Sequence, residues 1–124
     1  MFCELKSKGC CQMDKLDGYR QIIRDVLSQY LDIDYANVDA KNRAAFDVET
    51  DQYIIISVGW ENKNRRVHGC LIHVEIMDGL VWVQRDGTEY DVTNDLVEAG
   101  IAKLDIMLGF HEPSVRQYTG FAVA

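Results

Sequence analysis

Residues 67–85 read VHGCLIHVEIMDGLVWVQR, and this stretch decides the fold. From Val67 to Met77 side chains alternate. Cys70, Ile72, Val74 and Ile76 share one face with His68 in register, while His73 and Glu75 take the other. Asp78-Gly79 follows directly, and Asp-Gly between two apolar runs signals a tight hairpin turn. Leu80 to Arg85 returns from it as a second strand.

Upstream, Tyr53 to Trp60 is nearly all apolar and rich in isoleucine, as expected of a central strand. From Arg43, the residues Ala44, Phe46 and Val48 alternate with Ala45, Asp47 and Glu49, which predicts a strand with one buried and one wet face. The connections Thr50–Gln52, Glu61–Arg66 and Asp78-Gly79 are too short for helical crossovers. They predict an antiparallel meander of four strands. Cys70 is expected to act in it as a small core hydrophobe.

The flanks read as helical. Leu16, Tyr19, Ile23, Val26, Leu27 and Tyr30 recur at steps of three and four, which predicts a helix from Asp14 to about Leu31, capped by Asp14. Past the meander, Asp91 or Thr93 can cap a helix through Leu96, Val97 and Ala99 that Gly100 stops. A turn and a short apolar segment, Ile106-Met107-Leu108, follow. Pro113 suits the first position of a short helix beginning near Glu112. Tyr118 to Ala124 is apolar for a terminus and is expected to pack on its own sheet or on a second subunit. The fold class is therefore α+β: an N-terminal helix on a four-stranded antiparallel meander, with short C-terminal helices.

The 124 residues suit one domain, assigned to 13–124. Residues 1–12 lack periodicity and read as a mobile extension, consistent with an upstream start codon and with Met13 as the start that matters. No run approaches the ~20 apolar residues of a membrane span, and Met1 to Gln12 lacks the apolar core of a secretory signal. Both point to the cytoplasm. A net charge of −7 disfavours a broad, sequence-independent grip on nucleic acid. It suits a basic protein partner better. Cys3, Cys10, Cys11 and Cys70 lack the spacing of a zinc site and read as reduced thiols.

No phosphate-binding glycine loop, H-E-x-x-H or G-x-S-x-G motif is present, so no cofactor is expected. His68 and His73 fall on opposite faces of one strand, and His111 is remote in sequence, so no metal site is preorganised. Asp86 and Glu89 beside Arg85 offer carboxylates to a metal-dependent nuclease reading, but Asp86-Gly87 reads first as turn chemistry. Lys63, Arg65 and Arg66 form the one concentrated basic loop, a nucleic-acid patch on one reading and a solvated hairpin on the other.

Several longer motifs resemble one family. Met13-Asp14-Lys15-Leu16-Asp17-Gly18-Tyr19-Arg20-Gln21-Ile22-Ile23 is similar to the start of the XisI family, the fdxN element excision controlling factors. So are Val58-Gly59-Trp60, Arg66-Val67-His68-Gly69-Cys70-Leu71-Ile72-His73 and Trp82-Val83-Gln84-Arg85-Asp86-Gly87-Thr88-Glu89. Leu108-Gly109-Phe110-His111 through Pro113, Arg116 and Tyr118-Thr119-Gly120-Phe121-Ala122-Val123-Ala124 continue the match, which spans Met13 to Ala124.

The resemblance implies a cyanobacterial protein linked to developmentally controlled DNA rearrangement, in which a site-specific recombinase excises an element from a nitrogen-fixation operon. It implies a XisH-like, nuclease-related partner and brings no catalytic residue. Together with the acidic charge and the missing active-site motifs, it favours a non-catalytic accessory protein, expected as a homo-oligomer, with a dimer favoured. Arg85, Asp86, Glu89, His111, Arg116 and Tyr118 are the expected polar interaction surface. Each of Arg85, Asp86, His111, Arg116 and Tyr118 reads equally as an internal tie. Three alternatives stand beside this reading. One is a DNA-binding directionality factor using Lys63, Arg65 and Arg66. Another is a hydrolase built on Asp86, Glu89 and His111. The third is an antitoxin-like inhibitor of the nuclease-like neighbour.

Overall fold

The computed structural model describes residues 7–33, 38–116 and 119–122, with side chains from Lys15 onward. Helix α1 spans Ser7–Ser28 and tightens into a 3-10 turn, Gln29–Asp32. It therefore starts before Asp14, which lies inside the helix rather than at its cap. Ser7 to Gln12 contains no proline, and Gly9 costs only about 1 kcal/mol in a helix that is already propagating.

The strands are β1 (Val38–Asp47), β2 (Gln52–Glu61), β3 (Arg65–Met77), β4 (Leu80–Asp86) and β5 (Ile106–Leu108). They form one sheet in the order β1-β2-β3-β4-β5. The first four make the expected antiparallel meander. The sheet is nevertheless five-stranded and mixed, because β5 joins β4 in parallel, with Val81, Trp82 and Val83 opposite Ile106, Met107 and Leu108. Helix α2 (Val92–Ala99) supplies the crossover that a parallel pair requires. The apolar segment Ile106-Met107-Leu108 was legible, but a three-residue strand carries no alternation by which to assign it.

Both helices pack on one face. Tyr19, Ile23, Val26 and Leu27 of α1 and Tyr30 of the 3-10 turn are buried against Tyr53, Ile55, Ile72, Val74, Val81 and Val83, and Leu96 and Ile101 close the core from the α2 side. A fully buried side chain of this size contributes about 1.5–3 kcal/mol. Arg20 ties α1 to the β1–β2 turn through both oxygens of Asp51 (2.8 and 3.1 Å). Tyr30 ties it to α2 by donating to Asp95 at 2.8 Å.

The junction of β4 and α2 is built on two carboxylates. Asp91 caps α2 by accepting from the Asn94 amide. Asp86 accepts from the Thr88 amide and hydroxyl and from the Val92 amide. Gly100, at φ 126°, ends the helix in a conformation that side chains rarely adopt. A short helix, α3, covers Pro113–Arg116 as the proline suggests. The described part of the tail packs on its own sheet: the Ala122 amide donates to the Ile106 carbonyl (2.8 Å) and Ala122 is buried.

Cys70 departs from expectation. It is exposed rather than in the core. The β2–β3 register shifts between Ile55 and Ile56, so Ile72 pairs with Ile55 while Cys70 pairs with Ile56. One extra residue in a strand reverses the alternation on its far side, which removes Cys70 from the row of Ile72, Val74 and Ile76.

Candidate interaction surface

Paired residues of neighbouring strands share a face, so the register defines what lies opposite the helices. Four rungs cross that second face. Ala45, Ile54, His73 and Arg85 form the first; Arg43, Ile56 and Cys70 the second; Lys41, Val58 and His68 the third; Asp39, Trp60 and Arg66 the fourth. Ile54, Ile56 and Val58 are half-buried and Trp60 is 45% exposed. Helices α1 and α2 both pack on the other side; on this side α3 covers the β4–β5 edge, where Arg116 lies over Trp82 and the neighbouring Met107 is buried.

The strip has a polar boundary at its Gln52 end. Gln52 donates to Glu75, whose second oxygen accepts from Gln84 at 2.8 Å, and Gln52 Oε1 meets His73 Nε2 at 2.6 Å. In this orientation of the Gln52 amide, neutral His73 carries its proton on Nε2. Beyond it, Arg116 lies over the Trp82 ring at 5.6 Å and donates to the His111 carbonyl at 3.0 Å. The Trp82 indole N–H is buried with no acceptor among the described residues. At the opposite end Arg66 lies over Trp60 at 5.1 Å.

The residues singled out in the sequence do not converge on one site. Arg85 lies on the second face and donates to the Cys70 carbonyl. Asp86 turns to the α2 side, where it organises the junction. Glu89 is exposed in the turn that follows. His111 packs its ring on Phe110 at 4.7 Å and, with Arg116, serves the C-terminal turn. Tyr118 lies outside the described residues. The basic loop also divides: Arg66 reaches the second face, Arg65 pairs with Glu61 at 3.3 Å on the helix-side face, and Lys63 is exposed in the turn between. Among the described residues no group of three His, Cys, Asp or Glu side chains could hold a metal.

Sequence reasoning missed the strip itself: Lys41, Arg43, Ile54, Ile56, Val58 and Trp60. The signal was present in the unbroken apolar run of β2. A strand covered on one side only reads as alternating. A run with isoleucine on both sides therefore marks either a strand covered twice or one with an apolar face left open.

Comparison with known proteins places these features in context. The family model described as XisI protein matches residues 13–123. A XisI-like protein from Anabaena variabilis ATCC 29413 has a crystal structure that superposes with a TM-score of 0.75 at 32% identity, covering 86% of this chain and 96% of that one. The fdxN element excision controlling factor XisI from the same organism superposes with a TM-score of 0.73 at 33% identity, covering 89% and 99%. No curated protein matches significantly.

Proposed function

Because the chain belongs to the XisI protein family, we propose that it is a cytoplasmic, non-catalytic accessory protein of programmed DNA rearrangement that binds a XisH-like, nuclease-related partner. The observation that carries this reading is the second sheet face. Domains ordinarily bury each apolar layer against another. Here Ile54, Ile56, Val58 and Trp60 form a row on the face opposite α1 and α2, away from the β4–β5 edge where Arg116 of α3 lies over Trp82. Aromatic and arginine side chains are the usual anchors of protein interfaces, and Trp60 beside Arg66 supplies both.

The hydrolase alternative loses support from Asp86. Its oxygens are already engaged by two amides and a hydroxyl that shape the β4–α2 turn, which explains the carboxylate without chemistry. The solved Anabaena excision controlling factor points towards regulation as well. No helix of the described residues is long and apolar enough to cross a membrane.

The direct test is titration calorimetry with a purified XisH-like protein. A Kd at or below about 1 μM, near −8 kcal/mol, is expected. No heat and no co-elution at ten times that concentration would sink the reading. Self-association into a dimer is expected by sedimentation.

A further inference from the structure

From the distribution of charge on the sheet, we infer that the second face docks an acidic, apolar-bearing protein segment, which lies along β2 with its apolar side chains on Ile54, Ile56, Val58 and Trp60 and its carboxylates towards the flanking cations. This deepens the partner-binding reading and rests on it.

The chain as a whole carries −7, yet this face carries the opposite sign. Lys41, Arg43, Arg66, Arg85 and Arg116 lie on or over it, against Asp39, Asp47 and Glu75. Five cations against three anions give +2, which leaves −9 on the rest of the molecule. Two of the three acids and three of the five cations, Arg66, Arg85 and Arg116, are already engaged in hydrogen bonds within the chain. Asp47 accepts from the Glu49 amide and the Thr50 hydroxyl, and Glu75 is held between Gln52 and Gln84. Lys41 and Arg43 are exposed and form no ion pair among the described residues.

The basic and imidazole side chains also stand in rows. Lys41 and Arg43 run beside Val58 and Ile56 on β1, while His68 and Arg66 run beside Val58 and Trp60 on β3. Alternate strand residues recur about every 6.5–7 Å, so an occupant with apolar and acidic side chains at that repeat meets both features at once. The centre of the strip is aliphatic, and one face of each tryptophan lies against an arginine. Bases need free aromatic faces to stack on, so the surface favours a peptide over a single nucleic-acid strand. Face-to-face packing of two copies would set cation rows against each other.

The test uses three labelled probes against the full chain: a short peptide alternating Glu and Leu, the same length alternating Lys and Leu, and an oligothymidylate. Anisotropy should show the Glu-Leu peptide binding at low salt and weakening as salt rises. The pair Lys41→Glu and Arg43→Glu should lose about tenfold or more in affinity. Asp25→Lys on α1 should not weaken it, and unchanged thermal melts should confirm that both variants fold. Preference for the Lys-Leu peptide or the oligonucleotide, equal binding by the charge-reversed chain, or sedimentation showing that Lys41→Glu/Arg43→Glu disrupts a self-dimer would overturn the assignment. Repeating the calorimetry with the XisH-like protein separates the two readings. If the charge-reversed chain binds that protein unchanged, the docking face is wrong and the partner reading stands. If even the native chain fails to bind it, the partner reading falls, while the peptide result still decides the face.

Discussion

At Gly59 the backbones of β1 and β2 leave no room for a side chain, because a Cβ there would overlap the Asp39 carbonyl oxygen and the Ala40 Cα. Gly69 on the next strand has open space at the same position. Gly59→Ala should therefore cost about 1–3 kcal/mol by forcing the strands apart, while Gly69→Ala should be neutral or mildly stabilising. Urea midpoints measured side by side decide this, and equal effects would remove the close-approach argument. Three buried phenols make a second case. Burial, aided by hydrogen bonds to Asp51, Asp95 and Asp105 respectively, raises the ionisation of Tyr53 to about 12 and lifts Tyr30 and Tyr19 as well. A raised tyrosine pKa means that the folded state resists losing the proton more than the unfolded chain does. Stability from these groups is intact below pH 10 and should fall as pH climbs from 10 towards 12. Absorbance titration of the six tyrosines should show part of them titrating late and together with unfolding. A single transition near pH 10 in a still-folded protein would contradict it.

Elements were legible where periodicity is long. The stripe from Leu16 to Tyr30 located the core face of α1, and Asp78-Gly79 fixed the β3–β4 hairpin, where Asp78 and Gly79 both take positive φ. What escaped was set by events that alternation cannot show: a register shift at Ile55/Ile56 and a three-residue parallel strand. The chemistry of Asp86-Gly87 was read correctly as a turn, and the structure adds its purpose, which is to start α2. Asp86→Ala should destabilise by about 2–3 kcal/mol by orphaning the Thr88 and Val92 amides, with Asp86→Asn milder. Asp91→Ala, which removes only a cap, should cost about 1 kcal/mol. Shifts in denaturant midpoint at constant slope are the readout. A neutral Asp86→Ala would show that the junction is held by something else.

On the scale of the molecule, the sheet divides two environments, a core covered by α1 and α2 and a cation-flanked face that, among the described residues, only α3 covers at the β4–β5 edge. Net charge alone pointed to a basic partner, because a formal sum cannot show that five cations gather on one side. Only the strand register sorts them. The same topology has a kinetic side. The contacts of β1 to β4 join neighbours along the chain through short turns, whereas β5 reaches β4 only after some twenty intervening residues. Closing that excursion costs chain entropy before any contact rewards it. The meander with α1 should thus form a partly autonomous unit on which α2, β5 and the Ala122 strap condense late. Native-state hydrogen exchange should find the amides of Ile106 to Gly109 opening at lower free energy than those of Ile72 to Ile76, a breathing seam confined to the C-terminal third.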